Sequence, residues 1–536
     1  MSVVVSACAC IMGRWEGEAL TEEATGMEPI AELDAVEFGD AELDGAAARP
    51  ERSPSPSRGN VSASLIDELL AEAEFEPKSR SYRRAKAGVQ ALLQHSLEPG
   101  TQKPHNARHV IDSMIADIDA RLSAQLNAIL HHPRYKELES AWAGLYFAIQ
   151  RIDFKENIIV EMVNISKEDL AADLEDAPDF SRSGFFALAY SREYGQFGGQ
   201  PYGVICGNYE FGPSAPDVYL LSQITAVAAV SHAPFISNAS PRFFGSSDFS
   251  LVPTMKDLDG HFESPQFQKW RAFRDNPDAC YVGLCMPRFL ARLPFEESLQ
   301  PVRRFNFSED LSAPEHCTWA YASNAFVTRV AESFARHRWS PNIVGAKSGG
   351  TVRGMLAHPF EALGKHQLTP PTEVVITERR EYELGQHGFM PLVYRQDIDG
   401  ACFFSANSVQ RPKTFADTEE GRAASINYRL GTQLPYMFVV CRLAHYVKVL
   451  QREQLGETKN AKDIEDEINK WLLQYTADVE DPSPSVKARK PLRRARVKVE
   501  EVEGQRGWFS CSLEVQPHIK HMGVSFTLDL VGRLDT

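Results

Sequence analysis

The sequence predicts an α/β fold in which helices cover a sheet, and two observations support this prediction. Through the middle of the chain, short apolar runs alternate with longer stretches of helical periodicity, an order typical of a sheet packed between helices. Near the C-terminus the pattern changes to strict alternation of apolar and polar residues, which is typical of strands with one buried face. We therefore expect an α/β core followed by a smaller terminal domain.

Composition and charge exclude several classes of function. A chain of 536 residues is too long for one core of ordinary size, so two or more domains are expected. The net charge of -15 argues against general binding to nucleic acid or acidic membranes, which need a positive surface. No uninterrupted apolar run is long enough to span a bilayer, and the first residues lack the basic start of a secretory signal. The nine cysteines are scattered without paired ligand spacing, which indicates buried thiols in a reducing cytoplasm and no zinc site.

The N-terminal part of the chain divides into two predicted segments. Residues 1–60 are rich in acids and end in the linker RPERSPSPSRGN, so we expect a disordered acidic extension. Residues 61–105 follow as an amphipathic helix and a connecting segment. The helix carries apolar side chains at helical spacing, namely Leu65, Ile66, Leu69 and Leu70. It either packs on its own domain or docks in a groove of a partner, and the sequence leaves both alternatives open.

The predicted core spans residues 106–415 and begins with two helices, which meet at His131-His132-Pro133. Apolar runs that predict strands then alternate with helices predicted from Val218 to Ser231 and from Trp319 to His337; these runs are NIIVEMV, YGVICGNYEF, ACYVGLCM and TEVVIT. Two further helices are predicted over residues 423–455 and 461–475. We place the domain boundary near residue 415, so that residues 416–536 form the C-terminal domain.

The motif NIVGAKSGGTVRG suggests a phosphate-binding loop, but it departs from that pattern in two ways. A P-loop needs a second glycine where this chain has Ala346, and it needs a strand before the loop and a helix after it. A flexible turn is the better interpretation, and a nucleotide-dependent enzyme that uses Lys347 and Ser348 is the alternative function.

Other groups with catalytic potential also lack a complete set of partners. His131-His132 could be metal ligands, but adjacent residues of a helix point in different directions and no nearby Cys or Glu completes the set. His316-Cys317 could support thiol catalysis, but that needs two side chains that face each other and a third group that orients the base. The acid pairs Glu137/Glu139 and Glu381/Glu383 are expected on solvated faces. The sequence therefore predicts no catalytic residues, no cofactor and no metal.

The C-terminal segment has three runs that alternate as strands do. In WFSCSLEV the apolar positions are Phe509, Cys511, Leu513 and Val515, and in VSFTLDL they include Val524, Phe526 and Leu528. In RARVKVEEV, which Arg493 precedes, one side carries Arg494, Arg496 and Lys498. Charge on one side of a strand protects a sheet edge from association. The alternative is an edge that receives a strand from another chain, with the basic side facing acidic residues on it. Nucleic-acid binding through residues 489–498 is a weaker alternative, because the chain is acidic overall.

Several long stretches together resemble a known family, the large subunit of the contractile sheath of bacterial type VI secretion systems (the TssC/VipB/EvpB family). The likeness covers roughly residues 62–536; it is carried by HHPRYKELESAWAGLYF, PFISNASPRFFG, WAYASNAF, FMPLVYRQDIDGACFFSANSVQRPK, INYRLGTQLPYMFVVCRLAHYVKVLQRE and the terminal KPLRRARVKVEEVEGQRGWFSCSLEVQPHIKHMGVSFTLDL. The acidic extension before residue 60 departs from the family pattern.

The resemblance implies a structural protein of the cytoplasm without enzymatic activity. It implies a heterodimer with a small sheath subunit, stacked with copies of itself in a helical sheath around inner tube hexamers. Assembly starts on a baseplate, and contraction propels the tube, with the work coming from subunit contacts that differ between two states. Neither nucleic acid nor direct membrane insertion is implied.

The resemblance also implies roles for named residues. It implies an α/β fold with two parts. The first is a helix-covered mixed-sheet sheath core, and the second is a C-terminal gp25-like α+β domain that exchanges strands with neighbouring subunits. Phe509, Cys511, Leu513, Val515, Val524, Phe526 and Leu528 then lie in interlocking strands, and Arg493, Arg494, Arg496 and Lys498 contact acidic partners. The helix with Leu65, Ile66, Leu69 and Leu70 is implied as the element that the AAA+ unfoldase recognises when it recycles the contracted sheath.

Overall fold

The computed structural model describes most of the chain and divides it into two compact units. One unit comprises Met1–Met12 with Ser123–Thr536, and the other comprises Gly13–Leu122. The described residues are 2–7, 79–96, 107–196, 198–296, 299–302, 305–311, 316–362, 365–396, 400–453, 461–479, 482–501, 509–518 and 528–533.

The smaller unit is helical where the structure describes it. It holds helix Arg80–Ser96 and the first part of helix Ala107–Leu130. Tyr82 is buried against Ala85 and Val89 near the start of the first helix. Ile115, Ile118 and Leu122, part of the apolar stripe in the second helix, are 39–52% exposed.

A mixed sheet of eight strands forms the centre of the larger unit, in the order β2-β1-β3-β4-β5-β11-β12-β8. Its strands are β1 (Ser2–Ala7), β2 (Ile159–Asn164), β3 (Tyr202–Phe211), β4 (Phe235–Ala239), β5 (Val282–Met286), β8 (Thr351–Arg353), β11 (Phe389–Tyr394) and β12 (Gly400–Phe403). In this order, the first six strands, β2, β1, β3, β4, β5 and β11, pair in parallel. β12 then pairs antiparallel with β11, and β8 pairs antiparallel with β12. Two short antiparallel pairs lie outside this sheet: β6 (Phe289–Leu290) with β7 (Trp319–Ala320), and β9 (Pro359–Ala362) with β10 (Lys365–Leu368).

Helices cover both faces of this sheet, which explains why its strands read as continuous apolar runs. Along β3, Ile205 packs in the same apolar cluster as helix Ala215–Ser231, whereas Val204 packs on the opposite face with helix Ala322–His337. The remaining helices of this unit include Pro133–Ile149, Lys167–Asp176, Leu258–Glu263, Gln268–Arg274, Glu378–Gln386, Glu419–Gly431, Leu434–Glu453, Ala461–Leu472 and Pro484–Arg489. A segment between Lys167–Asp176 and β3 is also helical and contains one π turn, Ala187–Ser191.

Aromatic rings fill the core on one face of the sheet. The ring of Phe243 lies 4.7 Å from that of Trp270 and 5.2 Å from that of Phe389, and all three side chains are fully buried. Each such side chain removes a large apolar area from water, so this cluster makes a dominant contribution to the stability of the core.

The prediction of disorder for residues 1–60 is wrong for Ser2–Ala7. These residues form β1, which pairs in parallel with β2 on one side and with β3 on the other. The stretch SVVVSA has the β-branched composition of a strand, but the acidic composition of the segment that follows concealed it. Residues 8–60 lie outside the described residues.

Three further predictions need correction. TEVVIT is not a strand, since Thr372 makes one isolated bridge to Phe289 and Thr377 caps helix Glu378–Gln386. Trp319 belongs to β7, and the helix predicted from it begins at Ala322. The single helix predicted over 423–455 is two, Glu419–Gly431 and Leu434–Glu453, because Pro435 cannot follow a continuous helical turn.

Candidate assembly site at the C-terminal sheet

The C-terminal segment forms a separate antiparallel sheet of three strands in the order β13-β14-β15. Its strands are β13 (Leu492–Glu501), β14 (Phe509–Pro517) and β15 (Leu528–Arg533). In the register, Val497 lies opposite Leu513, and Leu513 lies opposite Leu530. One face of the sheet packs on helix Ala461–Leu472, whose Ile468 and Leu472 belong to the same apolar cluster as the strands.

The predicted alternation is correct where the structure describes it. Cys511, Leu513 and Val515 are buried, and Glu514 between them is exposed. Burial raises the pKa of the Cys511 thiol to about 11, so this cysteine behaves as an apolar residue at neutral pH.

The other predicted interlocking residues are placed only in part. Phe509 begins β14, and Leu528 begins β15 opposite Val515; their side chains lie outside the described part of the chain. Val524 and Phe526 also lie outside it, as do Leu65, Ile66, Leu69 and Leu70 of the predicted motor-recognition helix. Strand exchange and motor recognition stay predictions.

The basic side of β13 faces solvent, as the alternation predicts. Arg494, Arg496 and Lys498 are exposed, and Arg493 is half-buried. With residues of β14 and of the preceding segment, the three arginines line a surface hollow of about 490 Å³. The basic side is therefore an open surface with room for a partner.

Acidic groups of the same chain already meet part of this basic side. Arg494 Nε lies 3.5 Å from Asp478 Oδ1, and Arg496 faces Glu514 across the ladder. The hydrogen bond from Lys498 to Glu500 raises the pKa of that lysine. A partner would therefore meet basic groups that already have acidic neighbours in this chain.

Side chains of a helix bond to the outer edge of β13, a feature that the sequence analysis missed. Asn469 Nδ2 donates to the Val497 carbonyl at 3.0 Å, and the Val497 N–H donates to Asn469 Oδ1 at 2.8 Å. The Val499 N–H donates to Glu465 Oε2 at 3.1 Å. Glu465 and Asn469 stand four positions apart, on one face of a helix, which is the signal that could have identified them.

An aromatic cluster joins the C-terminal segment to the core. The ring of Tyr475 lies 5.2 Å from that of Trp339 and 5.1 Å from that of Trp471. The Arg442 guanidinium lies 5.6 Å from the centre of the Trp339 ring and 5.0 Å from that of Tyr446. Burial lowers the pKa of Arg442, yet the faces of the rings favour its charge. This cluster therefore packs the segment that precedes β13 directly against the core.

The glycine-rich loop is a turn and does not have the geometry of a P-loop. The Gly350 N–H donates to the Gly345 carbonyl at 2.9 Å, and the Gly345 N–H donates to the Phe403 carbonyl at 2.7 Å. Gly345 and Gly349 adopt left-handed φ angles of 80° and 108°. The loop continues into β8, whereas a P-loop leads into a helix whose N–H groups face the phosphate.

The two histidine motifs come together but do not form a catalytic set. The rings of His131 and His316 stack at 4.1 Å, and His131 Nε2 lies 3.5 Å from Glu309 Oε1. Burial lowers the pKa of His131, and burial raises the pKa of Cys317, so the thiol is not activated. No cluster suited to a metal ion occurs in the described part of the chain.

The expectation that both acid pairs are solvated is wrong for one member of each. Glu139 accepts a hydrogen bond from Arg292 Nε at 2.6 Å, and Arg292 also binds Glu309. Glu381 is buried and accepts a hydrogen bond from Ser405. These carboxylates have structural partners, which accounts for their positions without catalysis.

Comparisons with known proteins agree with this architecture. The family model described as "EvpB/VC_A0108, tail sheath N-terminal domain" matches residues 112–410, and the model described as "EvpB/VC_A0108, tail sheath gpW/gp25-like domain" matches residues 423–534. The type VI secretion system sheath protein TssC1 of Pseudomonas aeruginosa is 38% identical over 468 residues, which covers 86% of this chain and 93% of the relative.

Two solved structures show a weaker likeness. The anti-feeding prophage baseplate matches with a TM-score of 0.35 and 10% identity, covering 74% of this chain and 78% of that one. The sheath tail protein Lin1278 from Listeria innocua matches with a TM-score of 0.30 and 9% identity, covering 63% and 58%. A likeness at this level does not identify a family, and the family models and the P. aeruginosa relative establish the assignment. The chain therefore belongs to the EvpB/VC_A0108 tail sheath family, the large subunits of the contractile sheath of type VI secretion systems.

Proposed function

We propose that this sheath subunit is joined to its neighbours by strands added to the C-terminal sheet, and that it acts mechanically without catalysis of its own. The observation that supports the proposal is the sheet itself, which has three strands, one buried face and β15 at one end of the strand order. A terminal strand is a template for a strand from another chain wherever its outward N–H and C=O groups are not already paired.

A joint of this kind suits a sheath that contracts. Backbone hydrogen bonds between subunits persist while the rest of each subunit rotates, so the assembly stays connected between its two states. The work then comes from the difference in subunit contacts between the extended and contracted states. The cluster around Arg442 and Trp339 links the joint to the core.

The proposed partners follow from the family. We propose a heterodimer with a small sheath subunit, stacked with copies of this chain around inner tube hexamers on a baseplate in the cytoplasm. Recycling by an AAA+ unfoldase through Leu65, Ile66, Leu69 and Leu70 is part of the same proposal. Among the described residues, no helix combines the length and the apolar content that a membrane span requires.

Truncation of the joint tests the proposal. The chain ended after Gln505 lacks β14 and β15, so it should fail to form tubes when it is co-expressed with the small sheath subunit. Negative-stain electron microscopy of the two preparations makes the comparison, with the complete chain as control. Circular dichroism should show that the truncated protein keeps the helices and strands of the core. Normal tubes from the truncated chain would refute the strand joint.

A further inference from the structure

We infer that Glu465 and Asn469 close the outer edge of β13 to strand addition, so that a strand from another sheath subunit joins the C-terminal sheet only on the side of β15. This inference rests on the proposed function, because it assumes that the joint is made by strands. Beyond the proposed function, the inference specifies the side of the sheet on which the partner strand enters and the residues that determine this side.

The carboxamide of Asn469 occupies the place of a neighbouring strand beside Val497. It accepts from the Val497 N–H at 2.8 Å and donates to the Val497 carbonyl at 3.0 Å. A side-chain amide offers the same donor and acceptor as a peptide group. In an antiparallel pair, a residue that does not bond to its partner directs both backbone groups to the opposite side. The outward backbone groups of Val497 are therefore already paired.

The next outward N–H along β13 is paired by the same helix. The Val499 N–H donates to Glu465 Oε2 at 3.1 Å. Ile468 and Leu472 are buried in the core cluster and hold helix Ala461–Leu472 against the sheet. Because one side of the helix is fixed by apolar packing, the polar face with Glu465 and Asn469 stays along the edge.

Backbone contacts close the start of the same edge. The Ala477 N–H donates to the Leu492 carbonyl at 2.9 Å, and Thr476 forms a parallel bridge with Leu492. The outer edge of β13 is thus occupied at Leu492, Val497 and Val499. A strand that added here would have to displace Asn469 and Glu465 and leave them without their partners, which disfavours addition.

The opposite end of the sheet lacks such a cover in the described residues. β15 is the last strand of the order, and it pairs with β14 from Ser510 to Val515. β14 continues to Pro517, past the residues that β15 pairs. A partner strand therefore finds its template at β15, and each sheet accepts strands on one side. This gives the joint a direction, as an ordered helical assembly requires.

Hydrogen exchange on the complete chain tests the closed edge before any assembly takes place. In the parent protein, the Val497 and Val499 amides should exchange at least 100-fold more slowly than exposed amides. Asn469→Leu, which keeps the branched shape and removes the hydrogen bonds, should speed exchange of Val497 at least tenfold. Asp466→Leu places the same side chain on the exposed face of the same helix and should leave Val497 unchanged. Fast exchange of Val497 in the parent protein overturns the inference.

Self-association provides a second measurement that does not depend on exchange. By light scattering after size exclusion, the complete chain with Asn469→Leu should gain oligomers formed through the opened edge, whereas Asp466→Leu should match the parent. If Asn469→Leu folds by circular dichroism yet changes neither exchange nor oligomeric state, Asn469 does not close the edge.

A comparison of free and assembled protein separates this inference from the proposed function. On assembly with the small subunit, amides of β14 or β15 should gain at least tenfold protection, while Val497 and Val499 keep the protection they already have. Slow exchange at Val497 in the free chain, with no gain at any C-terminal strand on assembly, would refute the strand joint and leave the closed edge standing. Loss of the Asn469 bonds to Val497 on assembly would refute the closed edge.

Discussion

The eight-stranded sheet and the C-terminal sheet of this subunit differ in how much of each strand is buried. In β4 and β5 of the large sheet, every residue is buried, because helices cover both faces. In β13 the burial alternates, with Val497 and Val499 buried and the basic side chains exposed. Burial on both faces makes a rigid body, whereas a one-faced sheet keeps a polar face for other molecules. The surface that a sheet of this subunit offers to other molecules therefore lies on the C-terminal sheet and not on the core strands β4 and β5.

The largest expected effect comes from the aromatic cluster of the core. Trp270→Ala should lower the free energy of unfolding by about 4 kcal/mol, because it removes a large, fully buried side chain and leaves a cavity. Urea denaturation monitored by circular dichroism measures this loss. Trp142, which is 51% exposed, is the matched control, and Trp142→Ala should cost less than about 1 kcal/mol. Equal losses for the two variants would contradict the rigid-core interpretation.

The next effect is pH-dependent and also belongs to the core. Burial lowers the pKa of His445 from 6.5 to about 4, and this ring bonds the Ser231 carbonyl at 3.1 Å. Since the unfolded chain binds a proton below pH 6.5 and the folded chain does not, stability should fall as the pH drops from 6.5 towards 4. The difference in pKa corresponds to a loss of about 3 kcal/mol by the end of this range.

Urea titrations at pH 7, 5.5 and 4.5 measure this dependence. His445→Gln keeps a donor for the carbonyl and removes the titration, so its stability should fall less steeply over the same range. His232 lies beside this ring, and burial lowers its pKa as well. Its contribution to the pH dependence of stability is therefore present in both the parent and His445→Gln. If stability falls equally steeply with pH in the parent and in His445→Gln, His445 is not a source of the pH dependence.

A smaller effect is expected from the apolar face of the C-terminal sheet. Leu513→Ala should cost about 2 kcal/mol, near the low end for a buried leucine, because a one-faced sheet can relax around the cavity. Leu284→Ala in β5, where helices confine both faces, is the comparison and should cost more. Urea denaturation measures the loss of stability in both variants. Hydrogen exchange should then show that the loss in Leu513→Ala falls on residues 492–517. A greater loss of stability for Leu513→Ala than for Leu284→Ala would show that the C-terminal sheet relaxes less around a cavity than the core sheet does.

The smallest effect on stability comes from the exposed basic side. Arg494→Ala should change the free energy of unfolding by no more than about 0.5 kcal/mol, since its ion pair with Asp478 is solvated. If this side contacts a neighbouring subunit, the same variant should still slow tube assembly, which light scattering can follow. Lys487→Ala tests a basic residue outside β13 and should leave the assembly rate unchanged. An Arg494→Ala protein that assembles at the parent rate would show that this arginine makes no contact in the sheath.

Local patterns predicted a large part of this structure, and contacts between distant residues account for what they missed. YGVICGNYEF became β3 over the predicted residues, and the alternation at Val497, Leu513 and Val515 placed the buried face of the terminal sheet. The spacing of Glu465 and Asn469 could have marked one polar face of a helix, but not the strand edge that this face meets, because the contact of Asn469 with Val497 joins residues 28 positions apart. Short strands such as β8 and β12 were also not predicted, since three or four residues carry too little periodicity.

The position of β1 has a consequence for the order in which the large sheet folds. In the described part of the chain β2 pairs with β1, and β1 connects it to β3, so this edge of the large sheet depends on a strand that is distant from both in the sequence. Ser2 pairs with Ile159 and with Tyr202, so each of the two pairings closes a long loop of chain. Such a distant pairing is slow because a long stretch of chain has to close first. We therefore expect the β2–β1 edge to be the last part of the sheet to form during folding.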